Sequence, residues 1–106
     1  MAFQTLCKQR YLGEGESTPF LVDGHEVLVL WPDGGRPRAF QGVCPHEQQS
    51  LVNNSEFNGR VLVCTAHGWV FDGRSGAGLR PAGCQLDEYP LRQVDGLFEI
   101  DLAGPA

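Results

Sequence analysis

The chain has no long apolar run. The longest is VLVLW, Val27 to Trp31, far short of the roughly 20 residues a membrane-spanning helix needs. The N-terminal stretch MAFQTLCKQR has no apolar centre of the kind a secretory signal carries. A soluble, cytoplasmic protein is therefore expected. Lys and Arg are scarce and nowhere clustered: 8 of them stand against 13 Asp and Glu, a formal net charge of -5. Nucleic acid and anionic membrane surfaces are poor partners for such a chain, which leaves proteins or small molecules. Helical periodicity is also missing, since no stretch of ten or more residues repeats its apolar positions between capping signals. At 106 residues there is room for one domain, residues 1–106, with one main core.

What the sequence does have is turns. Asp23-Gly24, Asp33-Gly34-Gly35, Asn58-Gly59, Asp72-Gly73 and Asp95-Gly96 are pairs that supply the positive φ angles of tight hairpins. Between them lie short segments rich in Val, Leu, Phe and Trp. Near the C-terminus LFEIDL, Leu97 to Leu102, puts Phe98, Ile100 and Leu102 on one face and Glu99 and Asp101 on the other, the alternation of a half-buried strand. EYPLRQV would pair with it across Asp95-Gly96. The expected class is all-β, an antiparallel sandwich or small barrel.

Two of these segments end in a cysteine with a histidine close behind. FQGV leads into Cys44, with His46 two residues on; RVLV leads into Cys64, with His67 three residues on. Two loops at one end of a rigid scaffold, each bearing a Cys and a His, suit metal binding. In a reducing compartment such cysteines act as ligands rather than disulfide partners. One tetrahedral zinc accepts two thiolates and two imidazoles, making a zinc-stabilised interaction module one reading. The single residue within Cys44-Pro45-His46 sets the Cα atoms of an extended segment about 6.6 Å apart, at roughly 3.3 Å per residue. That spacing suits two adjacent metals better, as in a 2Fe-2S cluster with cysteines on one iron and histidines on the other. A thiol hydrolase using Cys64 and His67 as nucleophile and base would have no orienting third residue and no use for a second pair.

CPHEQQSL followed by VCTAHGWVFDGRSG resembles the signature of the Rieske family. The match runs from about Phe40 to Leu102 and includes Leu51 and the closure at Phe71, Asp72 and Gly76. The resemblance implies a Rieske fold of small antiparallel sheets, with the cluster-binding region at about 40–85. It implies one 2Fe-2S cluster, with Cys44 and Cys64 on the buried iron and His46 and His67 on the outer one. LRPAGCQLDEYPL is similar to the family's proline loop, so Pro81 would cover the cluster. Pro45, Glu47, Gln48, Gly68 and Trp69 are then the cluster surroundings and the docking face. Trp69 suits cluster packing, partner docking or the core alike. Glu47 suits cluster tuning or a solvated loop.

Departures from the pattern place the protein within the family. Respiratory Rieske proteins carry an extra cysteine in each loop and a membrane anchor; HEQQ and HGWV have no cysteine. The hydroxyl donor which that branch aims at a cluster sulfide has no counterpart at Gly68 or Trp69. Fewer such hydrogen bonds imply a potential in the lower half of the Rieske range. CPHEQ, Trp69 and PAGCQLDEYP are most similar to the ferredoxin of toluene-type diiron monooxygenases. The ferredoxin of an aromatic-ring dioxygenase and a small nitrite-reductase subunit are the alternatives. The resemblance thus implies a monomeric one-electron carrier, without turnover of its own, between an NADH-dependent flavoprotein reductase and a terminal oxygenase. Asn54 stands where relatives place glycine, and a positive φ is expected there. Cys7, Cys84 and His25 are expected outside the ligand set: the cysteines as small buried hydrophobes, the alternative for Cys84 being a place near the metal site, and the histidine at the surface.

Overall fold

The computed structural model describes residues 3–44, 50–66, 68–80 and 82–103. Among these the chain forms twelve strands and a single 3-10 turn, Gln9–Tyr11, in three antiparallel sheets. The first sheet has the order β1-β12-β11, with β1 Gln4–Lys8, β11 Leu91–Val94 and β12 Leu97–Ile100. In the second, β10 Glu88–Tyr89, β4 Arg38–Gln41, β3 His25–Leu30 and β2 Ser17–Val22 lie side by side. The third runs β5 Ser55–Phe57, β6 Val61–Cys64, β7 Trp69–Asp72, β8 Ala77–Arg80 and β9 Ala82–Gln85. The expected all-β architecture is what forms, since only pairing in sheets satisfies the backbone of segments this short.

The turn dipeptides close hairpins as their chemistry requires. At Asp23-Gly24 the φ values are 49 and 79° and at Asp95-Gly96 they are 52 and 78°, the two consecutive left-handed residues of a type I′ turn. The first joins β2 to β3 with Val22 opposite His25, the second β11 to β12 with Val94 opposite Leu97. Asp72-Gly73 behaves otherwise. The left-handed residue of that turn is Gly76, φ +75°, while Asp72 Oδ1 and Oδ2 accept hydrogen bonds from the Arg74 amide and the Ser75 hydroxyl. A Cβ on Gly76 would stand 2.7 Å from Phe40 Cε1, so a glycine there also lets the turn pack on the core.

VLVL of β3 is wholly buried, flanked by β2 and β4 on its edges and by the other sheets on its faces. Its side chains divide between two apolar clusters as strand alternation demands. Leu28 and Leu30 join Phe40, Cys44, Leu51, Leu62, Cys64, Phe71 and Leu86; Val27 and Val29 join Leu12, Ala39, Tyr89, Phe98 and Ile100. Phe98 and Ile100 of β12 are buried as their alternation predicts, but Asp101 departs from it. This residue is also fully buried, because β12 ends at Ile100 and the chain turns. Its Oδ1 accepts the Ala103 amide at 2.9 Å, and its Oδ2 has no partner among the described residues.

Candidate metal centre

The first cysteine loop springs from the end of β4. The register of β3 against β4 pairs Val27 with Gln41 and Leu30 with Arg38, so Gly42 and Cys44 lie at the Glu26 end of β3 and Trp31 at the other. Gly42 presses directly on β3: its amide donates to Glu26 O at 2.8 Å, and a Cβ there would stand 2.7 Å from Glu26 C. Only glycine permits that approach. The loop then closes on itself. Val43 bridges to Ser50, and the Leu51 amide donates to Gly42 O at 2.8 Å. Ser50 Oγ donates to Glu26 Oε1 at 2.7 Å, and Gln41 Nε2 donates to Val43 O at 2.5 Å. Both feet of the loop are therefore fastened to the second sheet.

The second loop joins β6 to β7. Cys64 pairs with Trp69 across it, and the Gly68 amide donates to Cys64 O at 2.7 Å. Gly68 has φ +74° with open space where a Cβ would go, so its glycine serves the backbone turn and not a close contact. The loop between Cys64 and Trp69 thus closes as a tight hairpin end with Gly68 as its left-handed residue.

One residue links the loops. Asn54 donates to Ser50 O from both its amide and its Nδ2, each at 3.0 Å, while its own carbonyl accepts the Thr65 amide at 2.9 Å. The positive φ expected at Asn54 is not found. The asparagine side chain does a different job there, repeating a backbone-like bond that ties the foot of the first loop to the crown of the second. Ser55, opposite Cys64 in the β5–β6 register, adds a hydroxyl bond to Leu51 O.

Cys44 and Cys64 are each fully buried, carry no disulfide, and belong to the same apolar cluster. Two thiols brought from separate loops into one dry pocket fit a shared metal group, which thiolates bind from the protected side. Leu51, Leu62 and Phe71 surround them in that cluster. Trp69 is half-buried and packs against this apolar cluster, its ring centroid 6.4 Å from that of Phe71. Cys84 packs half-buried on this apolar cluster, and Cys7 packs half-buried on the other. Burial pushes the Cys7 thiol above its ordinary value. His25 is exposed. The other expected site residues, Pro45, His46, Glu47, Gln48, His67 and Pro81, lie outside the described residues. Among the described residues no three metal-ligating side chains gather, two of the four expected ligands being beyond them.

A groove among the described residues lies elsewhere. It encloses about 650 Å³ and is lined by Lys8, Arg10, Leu12, Trp31, Asp95 and Leu97, at the end of β3 remote from the cysteines. Sequence reading pointed to no site there.

Comparison with known proteins supports the metal centre. Over 91 residues, 86% of this chain and 74% of its relative, it is 38% identical to the ferredoxin component of the alkene monooxygenase system of Xanthobacter autotrophicus. Over 77 residues, 72% of this chain and 63% of the relative, it is 31% identical to the methanesulfonate monooxygenase ferredoxin subunit of Methylosulfonomonas methylovora. The fold matches the ferredoxin of carbazole 1,9a-dioxygenase from Nocardioides aromaticivorans IC177, with a TM-score of 0.76 at 24% identity over 94% of this chain and 97% of that one. Residues 2–90 match the family described as the Rieske [2Fe-2S] domain. With two buried thiols converging from loops that each continue into a histidine, the chain belongs to the Rieske [2Fe-2S] family.

Proposed function

We propose that the protein is a one-electron carrier that receives electrons from an NADH-dependent flavoprotein reductase and delivers them to a terminal oxygenase of the alkene or aromatic diiron monooxygenase type. The observation that carries this reading is the full burial of Cys44 and Cys64 in one apolar cluster of a chain similar over 86% of its length to a monooxygenase ferredoxin component. Cys44, His46, Cys64 and His67 would hold one Rieske-type 2Fe-2S cluster, which supplies a couple that gains and loses a single electron.

The chain's own residues set the conditions for that couple. Leu51, Leu62 and Phe71 exclude water from the thiol side. The Gly42 and Asn54 bonds hold both loops in place before any partner arrives, so little reorganisation accompanies electron transfer. Pro45, Glu47, Gln48, Gly68, Trp69 and Pro81 would form the rim that a partner meets. In this reading the carrier is monomeric, cytoplasmic and freely diffusing; no helix among the described residues is long and apolar enough to cross a membrane. Turnover would belong to the oxygenase, and this chain would be its electron supply.

Low-temperature electron paramagnetic resonance of the dithionite-reduced protein tests the assignment. A rhombic signal with an average g below that of all-cysteine clusters is expected. A colourless, silent protein with stoichiometric zinc would replace the carrier with a structural metal module.

A further inference from the structure

Of the large apolar side chains exposed among the described residues, Leu21 is the most open, at 74%, against 64% for Tyr11, 53% for Leu79 and 39% for Val94. It sits on β2, an edge strand of its sheet, and pairs with Glu26. Glu26 is the residue whose carbonyl and carboxylate fasten Gly42 and Ser50, the feet of the first cysteine loop. Leu21 is therefore at the metal-centre end of the molecule. Together with Pro19, Phe20, Glu26 and Val52 it lines a groove of about 300 Å³. Val52 follows two residues after Ser50, so the groove reaches the foot of that loop.

A leucine this exposed beside a shallow apolar groove is costly to leave in water unless something covers it. The charges nearby state what kind of surface would do so. From Tyr11 to Gly35 there is no Lys or Arg; of the acidic residues in that stretch Glu14, Glu16 and Asp33 lie at the Trp31 end of β3, which leaves Asp23 and Glu26 near Leu21. Asp23 and Glu26 flank Leu21 on the β2–β3 hairpin. The complementary partner offers an apolar side chain to the groove with basic groups around it.

We infer that the Pro19–Leu21 edge of β2 with Val52 is a lateral grip for the terminal oxygenase, seating one of its apolar side chains beside basic residues while the metal-centre face meets its electron acceptor. This rests on the carrier reading above. A carrier that must visit two proteins with one small redox face gains selectivity from contacts beside that face, and an apolar anchor adds affinity without touching the metal site.

The test follows re-oxidation of the reduced protein by the oxygenase component of the Xanthobacter alkene monooxygenase system in a stopped-flow spectrometer, as a function of oxygenase concentration. Leu21→Asn should raise the half-saturating concentration about tenfold, the scale for losing one buried leucine. Its limiting rate, midpoint potential and paramagnetic spectrum should match wild type. Val52→Thr, on the opposite wall, should give a smaller rise, and Tyr11→Asn, which removes an exposed aromatic elsewhere, none. An unchanged half-saturation for both groove variants would overturn the grip, as would a changed potential, which would mean that the substitutions act on the metal centre. Wild-type protein that yields no electrons to the oxygenase at all would overturn the carrier reading, and the grip with it.

Discussion

Gly42 shows how much of the site rests on a single missing side chain. Its Cβ would stand 2.7 Å from the Glu26 carbonyl carbon and 2.8 Å from its oxygen, both backbone atoms that cannot turn aside. Gly42→Ala should therefore push β4 off β3 where the first loop begins. We expect a loss of about 1–3 kcal/mol, the usual scale of overpacking, read as a lower Tm together with reduced iron content of the purified protein. An alanine variant with wild-type Tm and full iron would show that this close approach is not needed. Cys7 makes a separate prediction. Burial raises its thiol above the ordinary value of 9.0, so the unfolded chain gives up this proton before the folded one does. The contribution to stability is complete below about pH 9 and is lost as pH rises through the folded value. Tyr89, raised by burial and then by Asp87 from its ordinary 10.0, adds to the same decline further up. Urea unfolding at about pH 8 and about pH 10 should show stability falling, with a shallower fall in Cys7→Ala. Equal slopes would remove Cys7 from the account.

At the scale of strands and loops, the hairpins were legible and their fastenings were not. Asp-Gly pairs at 23–24 and 95–96 announce type I′ turns because their backbone demands almost nothing else, and the apolar alternation of β12 fixes which face it buries. Asp101 escaped the same rule because alternation holds only while the strand lasts, and nothing in FEIDL marks its end. Asn54 illustrates the opposite limit. Its type pointed to a left-handed turn, but the side chain's value lies in a bond to Ser50 O, a partner that only the folded loops bring within reach. The Cys-His pairs were readable since ligand spacing is local, whereas Glu26, which clasps the first loop from 24 residues away, carried no signal in its neighbourhood. That clasp is testable. Ser50→Ala removes the bond to Glu26 Oε1 and leaves a half-buried carboxylate one donor short, a cost of about 1 kcal/mol. The first loop should open more often, and loss of visible absorbance to an iron chelator should quicken several-fold while the potential stays put. Chelation at the wild-type rate would confine Ser50 to a surface role.

Across the whole molecule it is the basic residues that are sorted by end. Segment 31–38, at the end of β3 away from the cysteines, contains Arg36 and Arg38. Arg74 Nη2 reaches its Asp33 carbonyl at 2.7 Å, and Arg60 follows Gly59, whose carbonyl takes the Asp33 amide. Lys8 and Arg10 line the groove beside Trp31. The metal-centre end has Asp23 and Glu26, with Glu47 in the first loop's sequence, against Arg80 at the β8 terminus. Carboxylates lie at both ends, Glu14, Glu16, Asp33 and Asp95 among the basic groups, so in a chain of net charge -5 the metal-centre end keeps Asp23 and Glu26 with fewer cations to offset them, and a basic oxygenase surface would be drawn to that end in the orientation transfer requires. Such steering depends on distance. Raising ionic strength from about 0.01 M to about 0.15 M shortens the Debye length from about 30 Å to about 8 Å, so the second-order rate constant for re-oxidation by the oxygenase should fall several-fold. The limiting rate at saturating oxygenase should not change, because salt screens the approach and not the docked complex. Asp23→Asn together with Glu26→Gln should flatten this salt dependence, whereas neutralising Arg36 and Arg74 at the far end should leave it intact. A rate constant indifferent to salt in the wild-type protein would mean that the apolar contacts of Leu21 and Trp69 guide docking without help from charge.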